Sequence, residues 1–380
     1  MHATQLKKFL SLLYLLSGAF YGHSQINNSL LFSADSDSLI DKKAKFGFLV
    51  DNVNYVRNTE YHSEIEHGAT WAGTQIWPQI VFRYNEHLIF KGGVFLQKDF
   101  GNNKFRTPLP TYTLTYTRNR LKVNFGTLDG SLDHKLIEPL YAMENYIDKR
   151  MENGFQVKGN FRYLGFDTWV DWEKMIYRDS RSPEKFTAGL SADLKLINKP
   201  RVSWTFPVQT LIKHQGGEIY APPHSNIKTQ FNLACGTRFT RKMPGRVIDK
   251  VDFQGFLTFY EDLAPTKADS FFDGSGQFVA LTLYHQYFGV MLNYWDAHQY
   301  IAPLGEPLFV SKSRAEEGVY RQYQKMVMLR LTYEMPLWKN CALVARMNNI
   351  YNLSEKKYDN VIEAYFKFNI GSPLRIFAKQ

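Results

Sequence analysis

The segment from Leu128 to Glu152 gathers the side chains best suited to chemistry, with Asp129, Ser131, Asp133, His134, Glu138, Glu144 and Asp148 in one stretch. A histidine among carboxylates with a serine nearby suggests acyl transfer, in which a base is hydrogen-bonded both to a nucleophile and to an orienting carboxylate. His134 is one residue from Asp133 and five from Asp129. Residues adjacent on one loop rarely assemble that geometry, and no G-x-S-x-G occurs in the chain. His134 therefore reads as an ordinary loop histidine, no catalytic residue is assigned, and the expectation is that the chain is not an enzyme. Asp129, Asp133 and Glu138 are chemically suited to Ca2+, but their spacing fits no regular calcium loop, so neither a metal nor a cofactor is expected.

Those residues need a scaffold, and alternation identifies it. From Phe155 to Tyr163, apolar Phe155, Val157, Phe161 and Tyr163 alternate with Gln156, Lys158, Asn160 and Arg162. The run from Phe186 to Leu196 does the same, as do Val327 to Met335 and Ile362 to Ile370. A period of two marks a strand with one apolar and one polar face. Sixteen such segments follow in order, near 45–57, 71–85, 87–98, 107–117, 120–127, 153–161, 163–175, 184–196, 200–213, 226–241, 249–262, 274–285, 287–298, 323–336, 340–351 and 358–371. Connections after even-numbered strands are mostly tight, whereas those after odd-numbered strands are mostly long, including 58–70, 128–152, 214–225 and 299–322.

A soluble sandwich has no reason to sort its loops by parity. An antiparallel up-and-down transmembrane β-barrel does, with short periplasmic turns and long outer loops. The expectation is an all-β barrel of sixteen strands, with fourteen or eighteen as alternatives. Apolar faces then point to lipid and charged faces line the lumen, which reconciles membrane insertion with a mean hydropathy of −0.35. The aromatic content of 16% suits interfacial girdles at strand ends such as Tyr84, Tyr112, Trp172 and Phe288.

Residues 1–25 read as a secretory signal peptide: Lys7 and Lys8 precede an apolar run of 12 residues from Phe9 to Phe20, with cleavage expected near Ser24 or Gln25. Residues 26–44 form a short polar periplasmic segment, and 45–380 the barrel. Cys235 and Cys341 allow one disulfide but read better as small apolar strand residues. The net charge of +10 is dispersed among strands, which excludes a nucleic-acid surface and suits contact with anionic lipopolysaccharide and outer-membrane lipid.

Parity places Arg83, Lys91, Lys122, Lys158 and Arg162 on the lumen wall of strands two to six, and Asp167, Asp171 and Glu173 on strand seven. A basic stripe beside an acidic one sets a transverse field that filters solutes by charge. In loop 128–152, Leu140, Met143 and Ile147 follow Pro139 with helical spacing, so a short amphipathic helix is expected, with Asp129, Asp133, Glu138, Glu144 and Asp148 as its acidic surface.

In strand count and loop asymmetry the chain resembles porin-type outer-membrane proteins of Gram-negative bacteria, in character those of the Bacteroidetes. The resemblance is architectural and covers nearly all of the mature chain. It implies a channel for passive diffusion of small hydrophilic solutes, with 128–152, the third outer loop, folded inward as the constriction. Two other classes fit the same scaffold: a plugged barrel serving as receptor or as part of a surface secretion or assembly machine, and a barrel hydrolase. A homo-oligomer or protein partner is compatible with each. One departure from the pattern is the C-terminus, where Gly371, Ser372 and Pro373 are expected to break the last strand.

Overall fold

A computed structural model describes residues 40, 44–177, 183–217, 227–267, 269–338 and 340–374. The expected signal peptide and most of the periplasmic segment lie outside these residues. Sixteen strands form one closed antiparallel barrel. They are β1 (Phe46–Glu60), β2 (Thr70–Arg83), β3 (Leu88–Asp99), β4 (Leu109–Arg118), β5 (Leu121–Thr127), β6 (Asn153–Asn160), β7 (Leu164–Lys174), β8 (Lys185–Lys199), β9 (Val202–Gln215), β10 (Lys228–Lys242), β11 (Lys250–Asp262), β12 (Asp273–His285), β13 (Phe288–His298), β14 (Tyr323–Trp338), β15 (Cys341–Asn352) and β16 (Lys357–Pro373). Each strand pairs with its sequence neighbours, and β16 closes on β1 from Gly47↔Pro373 to Glu60↔Asn360.

The expected break at the C-terminus does not occur. Gly371, Ser372 and Pro373 continue β16, paired with Leu49, Phe48 and Gly47. Ring closure gives them a partner that local propensity cannot reveal, and Pro373 at the strand's end forfeits little by lacking an N–H. Cys235 and Cys341 are both free.

The barrel is inverted relative to a soluble protein. Phe90, Leu114, Phe125, Phe155, Leu292 and Ile362 are exposed on the outer wall, while Gln75, Asn124, Gln156, Gln209, Asn232 and Gln324 are buried inside. All of these inner amides but Asn124 satisfy the backbones of two outer loops folded into the lumen. Loop 128–152 leaves β5 at Gly126, whose φ of +101° and close approach to the Tyr112 carbonyl leave no room for a Cβ. It carries a short 3-10 turn (Ser131–His134) and one helical turn, α1 (Asn145–Asp148). Gln209 accepts from the Ile137 N–H and donates to the Lys135 carbonyl, both at 2.9 Å. Gln75 donates to the Tyr146 and Ile147 carbonyls at 3.2 Å, closing the end of α1.

Loop 299–322 is held in the same way. Asn232 donates to Ile301 at 2.7 Å, Gln324 to Leu308 at 3.0 Å and the Trp295 indole to Phe309 at 3.0 Å. The two loops then bond to each other, Ala142 N–H to the Leu304 carbonyl at 2.7 Å and Glu306 N–H to the Glu138 carbonyl at 2.9 Å. Leu136, Ile137, Leu140, Ile147, Leu308 and Phe309 build one apolar cluster between them and the lumen wall. A barrel of this diameter has room for a channel; here the packed loops reach across the lumen to β1, β2, β9, β10 and β14.

Candidate functional site

The inward path of loop 128–152 decides where the charged residues go. Its acidic groups do not form one acidic surface; they are distributed among separate cations around the lumen. Asp129 meets Lys122 at 2.7 Å and Lys158 at 3.4 Å. Glu138 makes a two-pronged contact with Arg330 of β14, one arm at 3.0 Å. Glu144 pairs with Arg57 of β1, which also reaches Glu363 at 3.2 Å and Glu306 at 3.5 Å. Asp148 pairs with Arg106 at 3.0 Å. Asp133 faces the periplasmic half of the lumen beside His134. Burial, with Glu144 and Glu138 adding to it against Arg57, pushes Glu306 up to about 7.

Of the wall cations, Lys91 is buried in the lumen and Lys122 and Lys158 converge on Asp129. Arg83 ends β2. Arg162 corrects the parity reading: it lies in the exposed turn between β6 and β7 and sits over the Tyr163 ring, 5.0 Å from its centroid. Strand parity fails once the chain has entered the turn. Asp167 points into the lumen beside His134, and Glu173 pairs with Lys213.

His134 is fully enclosed at the centre of the site. Its Nε2 is 2.7 Å from Glu152 and its Nδ1 2.9 Å from Asp167. The ring stacks on Trp169 of β7, centroids 3.4 Å apart and planes within 8°. Trp169 lies flat because the wall behind it is Gly189, where a Cβ would come within 2.3 Å of the indole. Burial works against a charged imidazole, but Glu152 and Asp167 outweigh it and raise His134 to about 9. Glu152 also accepts from the Tyr141 hydroxyl and the Ser131 N–H, each at 2.9 Å. Ser131 holds φ at +56° and Lys135 at +58°, so the 3-10 turn is bracketed by left-handed residues that the surrounding contacts must enforce. The constellation is not a Ser-His-Asp triad, since both imidazole nitrogens are committed to carboxylates.

Two hollows flank this centre. An outward cleft of about 360 Å3 is lined by Glu152, Tyr141, Trp169 and Asp171 at its floor and by Arg106, Lys149, Leu109 and Trp172 toward its mouth. Asp171 is bonded through Oδ1, which accepts from the Asn153 N–H at 2.7 Å. An inward vestibule of about 630 Å3 is lined by His134 and Asp167 at its roof and by Arg120 and Lys195 below. The wall beside the cleft is low. β5 has 7 residues and β6 has 8, fewer than the roughly 9–11 that a spanning strand needs. Their periplasmic ends are closed by short turns, so the deficit falls at the outer rim, where Leu109 and Trp172 are exposed.

The sequence reading did not identify Arg57, Glu152, Trp169 or Glu306 as site residues. Parity was a usable signal for Arg57 and Trp169, which lie on the polar faces of β1 and β7. No local signal marks Glu152 or Glu306, whose roles arise from the folding of two loops onto each other.

A closed sixteen-stranded barrel with a lipid-facing apolar wall, a polar lumen and inward-folded outer loops defines an outer-membrane β-barrel protein of porin-like fold. The fold is similar to the anion-selective porin from Comamonas acidovorans (TM-score 0.52, 11% identity, covering 86% of this chain and 100% of that one). It is similar also to a loop L8 deletion mutant of OmpT, an outer membrane protein of Vibrio cholerae (TM-score 0.50, 11% identity, 85% and 98%). The chain belongs to the lipid A 3'-O-deacylase-type family, whose model matches residues 36–376. No curated protein matches the sequence. Membership of a family named for an enzyme overturns the expectation that the chain is not one.

Proposed function

We propose that this protein hydrolyses an acyl ester of lipid A, the activity for which its family is named, at the outward cleft. The observation that carries the reading is the cleft itself: a hollow with carboxylates at its floor beside a notch in the barrel wall at β5 and β6. An outer-leaflet lipid can pass an acyl chain over that rim without leaving the bilayer, and Leu109, Phe95 and Trp172 give the chain an apolar lining. Lys149 at the mouth suits an anionic glycolipid headgroup, whereas Arg106 there is already paired with Asp99 and Asp148.

Asp171 is assigned as general base. Its carboxylate takes a proton from water as the water oxygen bonds to the ester carbonyl carbon. The bond from that carbon to the sugar oxygen then breaks, and the proton passes to the departing alkoxide, leaving a fatty acid and an alcohol. Glu152 is a positioning residue, locked by His134, Tyr141 and the Ser131 N–H so that the floor keeps its shape. Refolded protein in mixed micelles with lipid A is expected to release free fatty acid and leave a product lighter by one acyl chain, read by mass spectrometry. Unaltered lipid A in the presence of correctly folded barrel overturns the reading.

A second reading, passage of small hydrophilic solutes, is favoured by one observation. Glu152 and Trp169 line the cleft and His134 the vestibule, and His134 touches both, so the two hollows lie back to back. Steady single-channel currents from wild-type protein in a planar bilayer would support passage; a silent bilayer would make the His134–Glu152 contact a seal and remove this reading.

A further inference from the structure

We infer that the inward vestibule is a binding site for a soluble, multiply charged anion of the phosphate class, reached from the periplasmic end of the barrel. The vestibule brings Arg120, Lys122, Lys135, Lys158 and Lys195 around one volume of about 630 Å3. Three carboxylates share the lining, Asp133, Asp167 and Asp193. Asp193 is committed to Arg238, at 3.3 Å, and Asp167 is divided between His134, at 2.9 Å, and the vestibule's own Lys158, at 3.8 Å. Asp129 is shared between Lys122 and Lys158. Lys195 donates to neutral acceptors, the Asn160 side chain and the Phe161 carbonyl at 2.9 Å. Among the described residues neither Arg120 nor Lys135 is placed in an ion pair.

Cations therefore outnumber the carboxylates available to them inside a low-dielectric wall, which concentrates field on whatever anion enters. A single carboxylate would leave most of that charge unanswered, whereas a phosphate or diphosphate group presents several acceptor oxygens to a fork-shaped guanidinium and to ammonium groups at once. The source is soluble rather than lipid. Around the vestibule the walls of β4 to β8 are hydrogen-bonded to one another and tight turns join β4 to β5 and β6 to β7, so a bilayer headgroup has no lateral entry. The vestibule lies on the opposite side of His134 from the outward cleft, and the inference stands independently of the hydrolase reading.

The test is calorimetric titration of inorganic pyrophosphate into the full-length protein in neutral detergent at low ionic strength, where such attraction is least screened. Saturable binding is expected, weakened at least tenfold in Arg120→Gln/Lys195→Gln and unchanged in Lys104→Gln, a control on the outer loop 100–108. Absence of saturable binding in wild type, or equal affinity in the double variant, overturns the inference. Both variants must still change gel mobility on boiling, as a folded barrel is expected to do, which separates a lost site from a lost fold.

Discussion

Asp171→Asn is expected to lower the turnover of lipid A deacylation about 10²- to 10⁴-fold, the usual contribution of a positioned general base, with KM little changed. Asparagine keeps the shape and can still accept from the Asn153 N–H through its amide oxygen, so the cleft should keep its form while losing the group that takes the proton. Glu152→Gln probes a different role. Its two oxygens accept from His134, Tyr141 and the Ser131 N–H, and an amide would present a donor to a site built from donors. That variant should lose both activity and stability, whereas Asp171→Asn should lose activity alone. Initial rates of fatty-acid release, measured beside the heat-shift of the folded barrel, distinguish them. Activity of Asp171→Asn within twofold of wild type would remove Asp171 as the base.

Much of the scaffold was legible because the two solvents of a barrel write opposite polarity onto alternate residues. Phe155, Val157 and Phe161 against Gln156, Lys158 and Asn160 specify a strand and its face without any tertiary knowledge. Loop parity then fixes which ends share a side of the membrane. What sequence could not show is contact made across distance. Arg330 and Glu138 are 192 residues apart and Arg57 and Glu363 are 306 apart, yet each pair meets in the lumen. Gly371 and Ser372 looked like a break because their partner, β1, lies at the other end of the chain. His134 looked ordinary for the same reason: Asp133, its neighbour in sequence, is not its partner, whereas Glu152 and Asp167 arrive only when the loop folds inward onto β7. The enzyme class was weighed and set aside because the sequence offers no local motif for it. The shortness of β5 and β6, by contrast, was in plain view, and its meaning emerged once the cleft was found beside them.

His134→Ala is expected to destabilise the barrel by about 3–5 kcal/mol, the range for removing one partner of a buried ion pair, because Glu152 and Asp167 would be left buried opposite each other with a void where the ring stacked on Trp169. The pH dependence identifies charge, not packing, as the cause. The imidazole has an ordinary value of 6.5 and is raised to about 9 in the folded protein. A group whose pKa is higher folded than unfolded binds its proton more tightly in the folded state, so its stabilisation is complete below pH 6.5 and is lost as pH rises through about 9. The difference corresponds to about 3 kcal/mol at 1.36 kcal/mol per unit. Urea unfolding in detergent should therefore show wild-type stability falling between those two values, and His134→Ala should lack that slope. His134→Phe refines the test, since it restores a ring against Trp169 without restoring charge: partial recovery of stability with the slope still absent would apportion the effect between stacking and the ion pair. A wild-type profile that stays flat across the window would mean that the imidazole is held neutral between its two carboxylates, and that the clamp on Glu152 is a hydrogen bond and not a charge.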